Sequence, residues 1–166
     1  MLERLTIRNF KRFRDVQIEL GDVVVFIGPN NAGKTSALQA LALWELCVRR
    51  WMERRGDKTT PAQRYGVTMN RRELVSLPVP ETKHLWRDLH VQQGKKTDKG
   101  TKTQKVYMQL IVDGIAAGKK WSCGLELYYA NAESIYCRPS GWSPNGGGES
   151  VPIPPEAAEV RVAFLP

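Results

Sequence analysis

The feature that most constrains the fold is a predicted strand, glycine loop and helix in direct succession over residues 22–42. Residues 23–27, VVVFI, form an unbroken and mostly β-branched apolar run, which is typical of a strand covered on both faces in a parallel sheet. Residues 28–35, GPNNAGKT, match the G-x-x-x-x-G-K-[ST] pattern at every fixed position. The next seven residues, SALQALA, are mostly good helix formers. In this context the glycine pattern predicts a phosphate-binding loop.

The residue types of this loop suit a nucleoside triphosphate with its magnesium ion. Gly28 and Gly33 let the backbone turn tightly and approach a phosphate without a Cβ in the way. Amides of the loop and of the first helical turn point at the anion, and the helix dipole adds to the attraction. Lys34 is the predicted catalytic residue on the β- and γ-phosphates, and the hydroxyl of Thr35 is the predicted Mg²⁺ ligand. The predicted loop contacts to ATP are Asn30, Asn31, Ala32, Gly33, Lys34 and Thr35; the alternative is a glycine turn that binds nothing.

Composition places the chain among globular proteins. Its 166 residues are 42% apolar and 25% charged, which suits one ordinary domain with a sizeable core. No apolar run reaches the roughly 18 residues of a membrane span, and no secretory signal opens the chain, so we expect a cytoplasmic protein without membrane contact. Cys47, Cys123 and Cys137 lack the spacing of a disulfide framework or a zinc site. His84 and His90 have no third ligand at useful spacing, which favours surface histidines over metal ligands.

Hydrophobic patterning divides the chain into three segments. Residues 1–56 are predicted to hold two short strands, the buried strand, the loop and a helix ending near Arg55 with an apolar stripe at three-and-four spacing. Residues 57–105 are irregular and basic, with single helical turns near 72–77 and 84–89 and a mobile loop at 94–105. Residues 106–166 predict antiparallel strands at 106–112, 121–129, 134–138 and 160–165, with a glycine- and proline-rich loop at 140–155.

Basic residues give the chain a net charge of +8, which favours association with polyanions. Two groups stand out, and each has two interpretations. The arginines at the helix end either complement the helix dipole or face DNA, and the lysines of residues 94–105 are either solvated or in contact with phosphates. The groups are Arg49, Arg50, Arg54 and Arg55, and Lys95, Lys96, Lys99, Lys102 and Lys105.

One apparent metal-binding strand is rejected. Residues 110–113, LIVD, have the apolar-then-Asp pattern of the strand that holds Mg²⁺ in P-loop enzymes. Asp113 is followed by Gly114 rather than by a carboxylate general base, and a new strand follows soon afterwards. A hairpin turn at residues 113–114 accounts for this pattern.

The first forty or so residues resemble the start of the ABC-type ATPases of the SMC/RecF/OLD group. The resemblance rests on LTIRNFKRF at residues 5–13, on GPNNAGKTS at residues 28–36, and on Leu38, Ala40 and Leu41. The form with Pro29, Asn30 and Asn31 is closest to the OLD-like branch. This resemblance implies an α/β P-loop NTPase fold: the N-terminal lobe of an ABC ATPase, with a mixed sheet and an antiparallel β-subdomain.

The resemblance also implies an activity and further contacts. It implies an ATPase that dimerises with ATP and acts on DNA in repair or phage defence. Ser36 joins the phosphate- and Mg²⁺-binding residues by position, and Lys11 and Arg12 fall where the group places residues beside the nucleotide. A solvated basic turn is the alternative for Lys11 and Arg12.

The group also needs a Q-loop, a Ser-Gly-Gly-Gln signature, an Asp-Glu Walker B strand and a switch histidine, which this sequence lacks. We therefore expect the chain to be the N-terminal portion of a larger ATPase, incomplete at its C-terminus and inactive alone. Two other functions stay open: an ATPase subunit of a transporter, and a non-catalytic module that uses ATP to fix a protein interface.

Overall fold

A computed structural model describes residues 1–56 and 66–163, and its centre is one antiparallel sheet. The six strands lie in the order β2-β1-β6-β7-β8-β3, and every neighbouring pair is antiparallel. The strands of this sheet are β1 Leu2–Phe10, β2 Phe13–Glu19, β3 Val67–Asn70, β6 Met108–Ala116, β7 Lys119–Asn131 and β8 Ser134–Pro139; β4 Gln92–Thr97 and β5 Gly100–Lys105 form a separate hairpin.

Helix α1, Lys34–Arg55, crosses one face of this sheet. Its 22 residues span about 33 Å at 1.5 Å per residue, enough to cross six strands spaced about 4.8 Å apart. The predicted apolar stripe is the face that packs on the strands: Trp44, Val48 and Trp51 are buried, with Leu41 and Met52 partly buried against them. Gly56, with φ of 63°, follows the last helical residue.

Alternation along the strands decides which side chains face the helix. Leu5 pairs with Val112 and Ile7 with Leu110, and all four are buried beneath α1. The next residues on the same strands, Arg4, Arg8, Gln109 and Asp113, point to the opposite face. That second face is polar, and it carries the ion pair between Arg4 Nε and Asp113 Oδ2 at 3.3 Å.

Most of the predicted elements are confirmed. Strands β1, β2, β7 and β8, the helix α1 and the irregular loop after residue 140 form where the patterns indicate. Short 3₁₀ turns lie at Arg71–Glu73, Thr82–Leu85 and Arg87–Leu89, near the predicted helical turns. The three cysteines are buried free thiols of the core.

The predicted buried strand at residues 23–27 is wrong for this structure. The segment pairs with no strand among the described residues, and Val23 and Ile27 are 84% and 91% exposed. A parallel strand forms only where neighbours supply hydrogen bonds on both sides and layers cover both faces. The described strands instead close into a sheet that is antiparallel throughout, so the predicted mixed sheet is corrected as well.

Three further predictions need correction. The hairpin turn lies at Ala117 and Gly118 rather than at 113–114, because β6 continues to Ala116 and Asp113 pairs with Ser122 on β7. Residues 94–105, predicted as a loop, lie in the exposed β4–β5 hairpin. The strand predicted at 160–165 is absent from residues 160–163, which follow the short helix α2, Pro155–Glu159; the rest of that prediction lies outside the described residues.

Candidate nucleotide site and basic groove

The glycine loop adopts a compact turn at the N-terminus of α1. Gly33 has φ of 97° and ψ of 8°, a left-handed conformation that strains any residue with a Cβ. Asn31 is also left-handed, with φ of 66°, and the amide of Ala32 donates to the carbonyl of Pro29 at 3.2 Å. These positive φ values turn the chain sharply before the helix begins.

The helix N-terminus is open to an anion. The first recorded intrahelical hydrogen bond runs from the amide of Ala37 to the carbonyl of Gly33, at 2.9 Å. No side chain caps this end, and its first turn contains no acidic residue. The amides of Lys34, Thr35 and Ser36 precede the first intrahelical hydrogen bond, so they have no carbonyl partner within the helix and can donate to an anion. The helix dipole also favours negative charge at this end.

Lys34 closes the loop. Its ammonium donates to the carbonyls of Gly28 and Pro29, at 2.6 and 2.8 Å, so the charge is held at the solvent-exposed entrance of the loop. An ammonium has three donors, which leaves one for an incoming phosphate oxygen. The hydroxyl of Thr35 is on an exposed residue of the first helical turn, where it is available to a Mg²⁺ ion bound with the phosphates.

The turn between β1 and β2 packs directly on the loop. A Cβ built on Gly33 would lie 2.7 Å from Phe13 Cζ and 2.9 Å from Arg12 Cδ. Arg12 therefore lies beside the glycine loop, and its side chain is exposed; its predicted contact with a nucleotide stays a prediction. The close contact explains the glycine at position 33 independently of its φ angle.

Lys11 is held differently from Arg12. Its ammonium donates to Gln39 Oε1 at 2.6 Å, one helical turn beyond Thr35, and its backbone amide donates to the carbonyl of Leu85. Partial burial lowers the pKa of Lys11 below its usual range. The structure thus directs the ammonium of Lys11 to the helix, and no pattern in the sequence indicated Gln39 as its partner.

Two of the four arginines at the C-terminal end of α1 form ion pairs with glutamates. Arg49 lies 3.8 Å from Glu45, and Arg50 pairs with both Glu53 and Glu73. These contacts favour the structural interpretation of Arg49 and Arg50 over the DNA-facing one. Arg54 and Arg55 complete the basic last turn of α1, which complements the helix dipole.

A polar groove lies on the other side of the β1–β2 turn, and the sequence patterns did not reveal it. Its volume is about 510 Å³, and its walls include Arg8, Arg14, Lys105, Tyr107 and Trp142. The side chain of Asn9 donates to the carbonyl of Tyr107 at 2.9 Å and joins β1 to the start of β6 at the groove floor. A tryptophan inside the glycine- and proline-rich loop was the one sequence signal, because such a loop gives an aromatic ring little chance of burial.

The two histidines lie in different surroundings. His90 is exposed and lines the groove, while Nδ1 of His84 lies 3.1 Å from the carbonyl of Glu81. Across residues 1–56 and 66–163, no group of three or more His, Cys, Asp or Glu side chains is arranged to hold a metal. No helix in that same part of the chain is long and apolar enough to cross a membrane.

An uncapped helix preceded by a glycine loop, with a lysine at its entrance, is the arrangement typical of nucleotide-binding sites of the P-loop class. Residues 1–44 match the AAA ATPase domain family. A stretch of 43 residues is 44% identical to the OLD nuclease of Thermus scotoductus, covering 26% of this chain and 8% of that protein. A stretch of 45 residues is 44% identical to an uncharacterized protein of Methanocaldococcus jannaschii, covering 26% of this chain and 20% of that protein.

These matches confirm the predicted resemblance to OLD-like P-loop ATPases for the N-terminal quarter of the chain. The matched stretch includes β1, β2, the glycine loop and the first turns of α1, so the family similarity and the candidate site coincide. The matches cover less than a quarter of either relative's length.

Proposed function

We propose that the chain is the ATP-binding part of a DNA-acting ATPase of the SMC/RecF/OLD type. The observation that carries the proposal is the uncapped N-terminus of α1, entered through the left-handed Gly33 with the ammonium of Lys34 at the loop entrance. Its location within the stretch that matches the AAA ATPase domain family adds independent support.

The proposed roles follow from the chemistry of each group. The amides of Asn30, Asn31 and residues 33–36 hold the phosphate oxygens, Lys34 neutralises the β- and γ-phosphates, and Thr35 ligates Mg²⁺. Arg12 contacts the phosphates from the β1–β2 turn. Mg²⁺, when bound, would help to neutralise the charge of the triphosphate, while the chain's own residues position it.

The complete enzyme requires groups that this sequence does not contain. An Asp-Glu Walker B strand and a Ser-Gly-Gly-Gln signature do not occur in residues 1–166, and we propose that a further segment or partner supplies them in an ATP-dependent homodimer. Action on DNA in the cytoplasm, in repair or in antiviral defence, is the role we propose for that assembly. The purified chain is then expected to bind ATP without turning it over, and hydrolysis that disappears in Lys34→Ala would contradict this expectation.

The binding test uses a fluorescent ATP analogue with Mg²⁺ and three forms of the purified chain. Lys34→Ala removes a charge-assisted hydrogen bond worth about 1.5–3 kcal/mol, so its Kd is expected to rise at least tenfold. Lys119→Ala is the matched control, because Lys119 is an exposed lysine on the β6–β7 turn, and its Kd is expected to equal that of the wild type. Equal affinity for wild type and Lys34→Ala would reject the proposed site.

A further inference from the structure

We propose that the groove beside the β1–β2 turn binds single-stranded nucleic acid, with one base stacked on Trp142. The inference rests on the proposed DNA-acting function and deepens it by naming a strand type and a surface. It is carried by four observations: an exposed aromatic ring, the contacts that hold it in place, the free cations around it, and the shape of the groove.

Trp142 is the aromatic ring available for stacking. It is 62% exposed, whereas Trp44, Trp51 and Trp86 are buried. The guanidinium of Arg8 lies 5.4 Å from the Trp142 ring centroid, a cation–π contact that fixes the ring against the groove wall. Stacking on an exposed ring serves any base, because every base has a π face.

The loop that carries Trp142 is anchored to the polar face of the sheet. The carboxylate of Glu126 is buried, accepts from Arg138 Nη2 at 2.8 Å, and accepts from the amide of Gly148 at 3.2 Å. Gln109 Nε2 donates to the carbonyl of Ser143 at 2.9 Å. These bonds hold both sides of the loop, so Trp142 is exposed in a prearranged position, which lowers the ordering cost of binding.

The groove has an excess of available positive charge. Asp15 is 3.2 Å from Arg8 and Asp88 is 3.6 Å from Arg87, so both nearby carboxylates are already paired. Arg14 and Lys105 have no carboxylate partner among the described residues. Lys105 Nζ instead lies 4.2 Å from the Tyr128 ring centroid, close to the groove wall formed by Tyr107.

The β4–β5 hairpin extends this basic surface away from the groove. Gln93 and Lys105 belong to both the hairpin and the groove lining. Lys95 lies directly opposite Lys102 in the register, an arrangement of like charges that destabilises an isolated hairpin. A polyanion on the hairpin relieves this repulsion, so the lysines that are unfavourable for folding are favourable for binding.

The shape of the groove suits a polymer. A second depression of about 270 Å³ shares Asn9, Arg14, His90 and Val106 with the first, and it adds Arg87 and its ion-pair partner Asp88 to the lining. The two depressions adjoin at Arg14, so they offer a continuous surface along which one strand can lie. A positively charged track with an aromatic stacking position is the usual arrangement in proteins that bind single strands.

The test follows tryptophan emission while the purified chain is titrated with oligothymidine of about 12 nucleotides, a length within the usual site size. Trp142 is the most exposed of the indoles, so we expect quenching with wild type and its loss in Trp142→Phe. Anisotropy of a labelled oligonucleotide gives the affinity: Trp142→Ala is expected to weaken binding about tenfold, and Trp142→Phe less than threefold. Because Trp142 is exposed, both variants are expected to unfold at the wild-type denaturant midpoint.

Substitutions of Arg14 and Lys105 test whether the cations of the groove contact phosphates. Arg14→Gln and Lys105→Gln are each expected to reduce the slope of log K against log salt by about 0.7, the value for one phosphate contact on a single strand. Lys119→Gln, at the far end of β6, serves as the matched control and leaves the slope unchanged. Two affinity results would overturn the inference: Trp142→Ala binding the oligonucleotide as tightly as wild type does, or the wild type binding duplex DNA as tightly as the single strand. It is also overturned if anionic vesicles quench Trp142 emission and the oligonucleotide does not.

The design separates this inference from the proposed function. Lys34→Ala is expected to lose ATP binding while keeping oligonucleotide affinity, since its contacts are in the glycine loop. A chain that binds ATP but shows no Trp142-dependent oligonucleotide affinity rejects the groove alone. A chain that binds the oligonucleotide through Trp142 but not ATP rejects the proposed P-loop function alone.

Discussion

Residues 23–27, VVVFI, and residues 110–112 of strand β6, LIV, are both unbroken apolar runs, yet they lie in opposite environments. In β6, Leu110 and Val112 are fully buried, because β1 and β7 pair with the strand on either side and α1 covers its face. In residues 23–27, Val23, Val25 and Ile27 are largely exposed and form no ladder with the described strands. The difference teaches that an apolar run predicts a demand for burial, while partners elsewhere in the chain decide whether a strand forms.

The largest effect is expected in the covered region. Trp44→Ala should lower the free energy of unfolding by about 3–5 kcal/mol, because it removes a fully buried indole and its hydrogen bond to the carbonyl of Cys123 at 3.0 Å. Denaturant unfolding measures the change. Trp142→Ala is the matched control, and its exposed side chain predicts a change within about 0.5 kcal/mol. Similar losses of unfolding free energy in Trp44→Ala and Trp142→Ala would contradict the difference in burial between these two side chains.

A smaller loss of stability is expected at Gly33, which lies between the exposed residues 23–27 and helix α1. Gly33→Ala should cost about 2–3 kcal/mol, since it combines a left-handed backbone with a Cβ forced against Phe13 and Arg12. Gly118→Ala is the control: its φ is 74° with open space around the added Cβ, so it should show the backbone cost alone, about 1–2 kcal/mol. Equal losses of stability in Gly33→Ala and Gly118→Ala would mean that the β1–β2 turn does not restrict the space around Gly33.

The pH dependence of the free energy of unfolding tests whether the Cys123 thiol is buried. Burial raises the pKa of the Cys123 thiol to about 12, while the unfolded thiol ionises near 8.5. Above pH 9 the unfolded state therefore holds fewer protons than the native state, and stability falls as the pH rises. The stability of wild type relative to Cys123→Ala should drop by about 1 kcal/mol per pH unit between pH 9 and 11. Parallel curves for the two proteins would contradict the burial.

The smallest effect is expected in residues 23–27. Val25→Ser should change the free energy of unfolding by less than about 0.5 kcal/mol, because Val25 is exposed. The same substitution at Val112, which is buried between β1 and β7, should cost about 2–3 kcal/mol. Comparable losses from the two valines, measured by denaturant unfolding, would show that residues 23–27 have a burial partner.

Local signals were sufficient for the elements that local sequence determines. Alternation located β1 and β2, three-and-four spacing identified the buried face of α1, and the glycine pattern located the loop with Lys34 at its entrance. The errors arose where a distant partner decides the outcome. Residues 23–27 lack a neighbouring strand, and β6 runs past Gly114 because Trp121 on β7 pairs with it.

The candidate sites show the same limit. The residues of the glycine loop that we propose as nucleotide contacts lie in one contiguous motif, so a sequence pattern was enough to select them. The groove brings together Arg8 of β1, Arg14 of β2, Lys105 of β5 and Trp142 of the loop after β8, which are up to 134 positions apart. They meet only through strand pairing and through the contacts that hold this loop on the sheet. Without those contacts no pattern in the sequence relates them.

The most direct test of the central claim is the backbone amide spectrum of the isotope-labelled chain with a non-hydrolysable ATP analogue and Mg²⁺. We expect the largest shifts at the amides of residues 33–36, with smaller ones in the β1–β2 turn that packs on Gly33, and their loss in Lys34→Ala. Saturating nucleotide that leaves the amides of residues 33–36 unchanged, or that shifts them equally in Lys34→Ala, would contradict a triphosphate site at the start of α1.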